Sequence, residues 1–222
     1  MIFLILAESS LELVPKELQN HNSVISHAQK LKKDPSEILL DNSWHFSAMK
    51  GIKDEIKRGR PDLVHFCILE ATTIPLYQKN KIKIFVHTYD DKVISFGNNV
   101  NIPKSYHRFE GLIEKLFLEK SIKFDDKVLL KVKDQSFTQL IDELKPEKVI
   151  GFSKEGKIKH IDRIVTELAP NSCIVIGGFQ KGHFSSEVQN QLNEQVSIGD
   201  SSFEAHVVIA RTLYEYEKTI FM

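Results

Sequence analysis

The chain opens on an unbroken apolar run, Ile2 to Ala7, and a run without polar alternation reads as a strand buried on both faces, as in a parallel sheet. Shorter β-rich runs follow at Leu63 to Leu69, Ile82 to His87, Val93 to Phe96, Val128 to Val132, Lys148 to Phe152, Cys173 to Ile176 and Gln195 to Ile198. Between several of them the apolar spacing becomes helical. Tyr106, Phe109, Leu112, Ile113, Leu116 and Phe117 form one stripe, and Phe203, Val207, Ala210 and Tyr214 form another near the end. Strands alternating with helices predict an α/β sheet covered on both faces. The 222 residues are 41% hydrophobic and contain no repeat, low-complexity tract or obvious linker, so they read as a single domain, 1–222.

Composition narrows the function classes. The apolar start is too short to span a bilayer and lacks the basic flank of a signal peptide, and nothing later approaches membrane length, so a soluble, cytoplasmic protein without membrane partners is expected. Cys67 and Cys173 sit in apolar runs, where a buried free thiol is the usual state, and no CxxC or HExxH spacing implies a metal. Thirty basic residues balance thirty acidic ones, which argues against a uniformly basic nucleic-acid binder. The charge is segregated, however. Lys50, Lys53, Lys57, Arg58 and Arg60 outnumber Asp54 and Glu55, whereas the segment from Asp200 onward is mainly acidic. Lys104, Arg108, Gly111 and Lys115 fall at i, i+4, i+7 and i+11 of one helix, a face suited either to a phosphate backbone or simply to solvent.

Three glycine-bearing motifs accompany the late runs. Gly151 to Lys157 (GFSKEGK) begins like a P-loop, but Ile158 replaces the hydroxyl residue that would hold magnesium, so a nucleoside triphosphatase is rejected. The turn IGGFQKG, with Gly177, Gly178 and Gly182, lacks the GxGxxG spacing of a dinucleotide site. Its glycines still let a ligand approach the backbone. A second turn carries Gly199 and Asp200 into Ser201, which with Glu204 reads as a capping box for the last helix. Glycine turns at the carboxyl ends of late strands are where open α/β sheets place cofactors; ordinary turn glycines are the alternative.

The blocks LLDNSWHFSAMK (Leu39 to Lys50), GRPDLVH (Gly59 to His65), KIFVHT (Lys83 to Thr88), NIPKSYHRFEGLIEKLF (Asn101 to Phe117) and IGGFQKG together resemble the ribosomal-RNA pseudouridine-N1 methyltransferases. The resemblance implies a SPOUT fold: a parallel sheet flanked by helices, with a C-terminal trefoil knot. It implies a homodimer that binds S-adenosyl-L-methionine through the two glycine turns, here Gly177, Gly178 and Gly182 with Val196, Ser197, Ile198, Gly199, Asp200 and Ser201. It also implies small-subunit ribosomal RNA as substrate, and ribosomal assembly proteins as further partners. The family's RNA-gripping positions correspond to Arg60, Asn101, Lys104 and Arg108, with Asp62 orienting Arg60. Asn101 and Lys104 stand where the family's pattern has arginines. Lysine offers a point charge instead of a bidentate fork, so phosphate affinity is expected to fall or to shift toward Lys50, Lys53 and Lys57.

Pseudouridine carries a ring N–H that uridine lacks, and catalysis would consist largely of unstacking that base and positioning its nitrogen, worth about 7–11 kcal/mol. An aspartate of ordinary pKa, about 3.9, beside an arginine is a weak base. Asp62 and Arg60 are therefore the catalytic candidates, Asp62 chiefly as the group that holds Arg60 and Arg60 as the grip on RNA. Two other readings stay open: an RNA-binding assembly factor that does not methylate, and a knotted methyltransferase acting on transfer RNA.

Overall fold

The computed structural model describes residues 1–221. Its strands are β1 (Ile2–Ser9), β2 (Ile82–Thr88), β3 (Lys92–Phe96), β4 (Ser121–Phe124), β5 (Lys127–Asp134), β6 (Val149–Ile158), β7 (Cys173–Gly177) and β8 (Glu194–Ser197). Among the described residues they form one eight-stranded sheet in the order β4-β5-β3-β2-β1-β7-β6-β8. Strands β2, β1, β7, β6 and β8 run parallel, while β3, β5 and β4 continue the sheet antiparallel. The expected parallel sheet is present, and three antiparallel strands extend it at one edge. Tight hairpins cause the change: Asp125 and Asp126 both adopt positive φ, 43° and 62°, between β4 and β5, which joins antiparallel neighbours and is too short for a parallel crossover.

The helices are α1 (Asn22–Leu31), α2 (Asn42–Met49), α3 (Pro61–Thr72), α4 (Pro75–Gln78), α5 (Tyr106–Glu119), α6 (Phe137–Leu144), α7 (Ile161–Thr166), α8 (Ser186–Asn190) and α9 (Ala205–Phe221). They explain the apolar opening. Ile2, Leu4 and Leu6 of β1 join one core cluster with Val64 and Ile68 of α3, Phe109 and Ile113 of α5, and Ile209 and Leu213 of α9. The alternate residues Phe3, Ile5 and Ala7 join a second with Phe137, Leu140 and Ile141 of α6 and Val188 of α8. Both faces of the central strand are therefore buried, each large aliphatic side chain contributing roughly 1.5–3 kcal/mol. A third, smaller cluster holds α1 and α2 together through Val24, Ala28, Ala48 and Met49.

Two sequence expectations change here. The run Leu63 to Leu69 is not a strand but the middle of α3. Pro61 occupies its first turn, where a missing N–H costs nothing, and Leu63, Val64, Cys67, Ile68 and Ala71 recur at helical spacing to fill the core. The final helix begins at Ala205, and Ser201 Oγ donates to the Asp200 carboxylate instead of capping it. Its core-facing stripe is Val208, Ile209, Thr212, Leu213 and Tyr216, one step round from the expected one, which leaves Tyr214 exposed.

Candidate cofactor cavity and RNA-facing surface

Three parallel strands bring the late motifs together. Gly177 ends β7, Val196 and Ser197 end β8, and Phe152, Ser153 and Lys154 lie in the neighbouring β6. Between them opens a cavity of about 470 Å³, within the usual size for a small-molecule site. Gly177, Gly182, Val196, Ser197, Ile198 and Ser201 line it, six of the nine positions expected from the sequence. Gly182 adopts φ +115°, a backbone state that side-chain-bearing residues rarely take. Apolar walls come from Phe152, Ile176, Phe179, Phe203 and Val208, and polar groups from Ser153, Lys154, Gln180 and Glu204.

The other three expected positions do different work. Gly178 packs against β1: its N–H donates to the Ala7 carbonyl, and a Cβ there would sit 2.1 Å from Ser9 Oγ. Gly199 makes room for the Phe203 ring, 2.8 Å from where a Cβ would fall. Asp200 is exposed and, with Gly199, borders a second and more open depression beside Arg163, Arg211 and Tyr214. Sequence reasoning missed Ser153, Lys154 and Phe179, whose side chains reach the cavity only because β6 and β7 end side by side.

The GRPD segment forms the next layer. At Gly59, φ is +68° and a Cβ would fall 2.6 Å from Met49 Cε, so a side chain is excluded on both counts. Arg60 N-caps α3 and turns its guanidinium onto Asp62, with Nε and Nη2 donating to the two carboxylate oxygens at 2.8 Å each. Burial raises the Asp62 pKa, but the hydrogen bonds and charge of Arg60 outweigh it and hold Asp62 below the ordinary carboxylate value. Asp62 is therefore ionised and already engaged, as an orienting group should be. The Asp62 hydrogen bond, offset in part by burial, raises the Arg60 pKa. Three residues earlier, Lys57 Cε lies 3.1 Å from where a Cβ on the cavity-lining Gly182 would fall, so the segment leading into Arg60 borders the cavity.

Helix α5 is locked beside this segment. His65 of α3 donates from Nε2 to the Pro103 carbonyl at 2.7 Å, and its ring stacks on Phe109 with centroids 4.2 Å apart. Tyr106 donates to Asp41, the residue that caps α2, and Glu114 accepts from the Leu39 N–H at 3.0 Å and pairs with Lys33. With its inner face held in this way, α5 leaves Arg108 and Lys115 exposed along its outer side; Asn101 and Lys104 are exposed in the segment before it, so Lys104 falls short of the helix on which its spacing places it. Lys104 and Arg108 make no ion pair among the described residues.

The basic run at 50–60 divides in two. Arg58 is buried in a bidentate pair with Glu12, and Lys57 pairs with Glu8 at 2.8 Å while lying over the Phe179 ring. Lys57 is consequently committed to the fold and is not free for phosphate, contrary to expectation; Lys50 and Lys53 remain exposed. Both cysteines are buried free thiols, pushed up in pKa by burial. No described helix is long and apolar enough to cross a membrane.

Fold and site together define a class: an α/β protein with a cavity at the carboxyl ends of parallel strands and exposed basic residues on and just before a helix packed beside the GRPD segment. Residues 4–217 match the model of the EMG1/NEP1 methyltransferase family, and the chain belongs to that family. It is 37% identical over 222 residues to the ribosomal RNA small subunit methyltransferase Nep1 of Thermococcus sibiricus, covering 99% of each chain. To the protein of the same name from Staphylothermus marinus it is 37% identical over 214 residues, covering 96% of this chain and 93% of that one. The crystal structure of Archaeoglobus fulgidus Nep1 bound to S-adenosylhomocysteine superposes with a TM-score of 0.87 at 34% identity, over 97% of this chain and 96% of that one.

Proposed function

We propose that the protein transfers a methyl group from S-adenosyl-L-methionine to N1 of a pseudouridine in small-subunit ribosomal RNA, in the cytoplasm during ribosome assembly. The observation that carries this reading is that the segment leading into the Arg60–Asp62 pair borders the 470 Å³ cavity, with Lys57 over the cavity-lining Phe179 ring and 3.1 Å from where a Gly182 Cβ would fall. Names of the relatives support the ribosomal substrate, and the S-adenosylhomocysteine complex of the Archaeoglobus protein supports the cofactor. The residues present fit such a cofactor: glycines at 177 and 182 leave backbone open, and the mixed apolar and polar lining suits a base joined to an amino-acid chain. Bound there, it would supply an electrophilic methyl group.

The protein's part is positioning. Gly177, Gly182 and the 196–198 turn would hold the cofactor, while Lys104 and Arg108 would hold the RNA backbone. Arg60, held by Asp62, would sit over the extruded base and offset negative charge as the N1 proton leaves. Asp62 is too acidic for much of that proton's transfer, which falls to solvent. Incubating the protein with methyl-labelled cofactor and matched RNA fragments bearing pseudouridine or uridine tests this: label should enter only the pseudouridine fragment, and equal labelling of both would refute the N1 assignment.

We propose further that the C-terminal segment is knotted and that the protein is a homodimer. Support for the knot is local: Val196 pairs with Phe152 and again with Lys157, so residues 153–156 loop out of the ladder there, and Gly156 lies where a Cβ would be 2.5 Å from Val196 backbone atoms. Support for the dimer comes from the outer face of α9, where Tyr214 is exposed and Val207 and Ala210 are half-buried, and from exposed Phe66 beside His206.

A further inference from the structure

Helix α2 carries an aromatic ring that the interior does not use. Phe46 is 60% exposed, although its neighbours His45, Ala48 and Met49 are buried. Asn42, Phe46 and Lys50 are spaced at i, i+4 and i+8 and so share one side of the helix, and Lys50 Nζ lies 5.4 Å from the Phe46 ring centre. That side borders the GRPD turn. The Asn42 N–H donates to the Gly59 carbonyl at 2.9 Å, and Met49 lies directly against Gly59. The other aromatic of the helix, Trp44, is on the opposite flank and already stacked on His27, with ring centres 4.5 Å apart.

Lys50 and Lys53 are exposed beside Phe46. The acids nearby are turned to internal partners: Asp54 accepts from the Tyr89 hydroxyl at 2.9 Å and Glu55 from the Gly51 N–H at 3.0 Å. An exposed ring flanked by two exposed lysines, on a helix whose Asn42 and Met49 touch the residue before Arg60, matches how proteins hold single-stranded nucleic acid: the ring takes a base face and the cations take phosphates. A cation already over the ring is no obstacle, because the lysine stem is flexible and its ammonium can move to a phosphate.

We infer that Phe46 is a stacking platform for an unpaired base flanking the target nucleotide, with Lys50 and Lys53 on the adjoining phosphates. The inference rests on the RNA-methyltransferase reading above and extends its RNA footprint from α5 across to α2. The probe is a short single-stranded oligoribonucleotide carrying one pseudouridine, titrated against the dimeric full chain at several salt concentrations. Phe46→Ala should weaken binding at least about fivefold without altering the salt slope, and Phe46→Trp should restore it, because stacking involves no counterion release. Lys50→Ala should instead flatten the slope by roughly 0.7 for a single strand. Wild-type affinity in a Phe46→Ala protein that still binds S-adenosylhomocysteine, alongside a clear loss in Arg108→Ala, would overturn the platform and leave the RNA reading standing. A Phe46→Ala protein whose mass falls in light scattering would also overturn it, since the ring would then belong to a contact between copies. Failure of the wild type itself to bind the oligoribonucleotide would sink the RNA reading and the platform together.

Discussion

The His65 ring ties α3 to α5: its Nε2 donates to the Pro103 carbonyl at 2.7 Å while its face lies on Phe109. This contact fixes the angle between the helix that starts at Pro61 and the one that carries Arg108. His65→Phe would keep the stacking and leave the carbonyl unpaired. We expect a loss of about 1–3 kcal/mol in urea denaturation and weaker RNA binding with cofactor affinity unchanged. Unaltered stability and RNA binding would show that the two helices are held by packing alone.

Gly177→Val should weaken S-adenosylhomocysteine binding at least about tenfold in calorimetry, since the added side chain meets the Phe179 ring 2.8 Å from its Cβ and drives it into the cavity. Gly178→Ala should act differently: its Cβ would strike Ser9 of the central strand, so folding is lost before binding can be measured. A folded Gly177→Val protein with normal affinity would mean the ligand lies elsewhere.

The Arg60–Asp62 fork and the Lys104–Arg108 face should separate kinetically. Arg108→Ala removes a phosphate contact and should lower the salt slope of duplex-containing RNA binding by roughly 0.9. Asp62→Ala frees Arg60 without touching the cavity, so methyl transfer should fall more than cofactor affinity does. Loss of cofactor with RNA binding retained in Asp62→Ala would place the pair in the cavity wall.

Acid should loosen the α1–α2 module before the sheet. Burial, with the proximity of His27, pushes His45 down to about 4, and burial lowers His27 and His65 as well. The Asp41 N–H donates to His45 Nδ1, so His45 carries its proton on Nε2 and donates to His27 Nδ1 at 3.0 Å; both rings are neutral in the fold. Unfolded, these imidazoles titrate near 6.5. Below that pH the unfolded chain binds more protons, so stability falls as pH drops from about 6.5 toward the folded values, by up to about 1.4 kcal/mol per unit for each group. Thermal melts between pH 7 and pH 4.5 should show a declining Tm, less steep in a His27→Gln, His45→Gln double variant. A flat profile for the native chain would contradict the neutral pair.

Much of this architecture was legible because burial leaves simple patterns: Ile2 to Ala7 announced a strand covered on both faces, and Phe109, Ile113 and Phe117 announced the inner side of α5. The run at Leu63 misled because six apolar residues interrupted only by His65 are too short a stretch to show a period, and only Pro61 marked a helix start. The phase of α9 slipped for a similar reason, apolar residues occurring on more than one side. The antiparallel edge depended on aspartates taking positive φ in tight turns. At the site, glycines at 177 and 182 were readable as open backbone, but Gly178 and Gly199 looked the same in sequence and serve internal packing. Lys57 appeared as a free cation, and only the fold brought Glu8 and Phe179 to it.

Mass mapping of modified nucleosides, in small-subunit and transfer RNA from cells with and without the gene, tests the proposed reaction most directly. The expected result is N1-methylated pseudouridine in small-subunit RNA, lost on deletion and restored by the wild-type gene but not by Gly177→Val. A small-subunit RNA with unchanged modifications, or a methyl group lost only from transfer RNA, would contradict it.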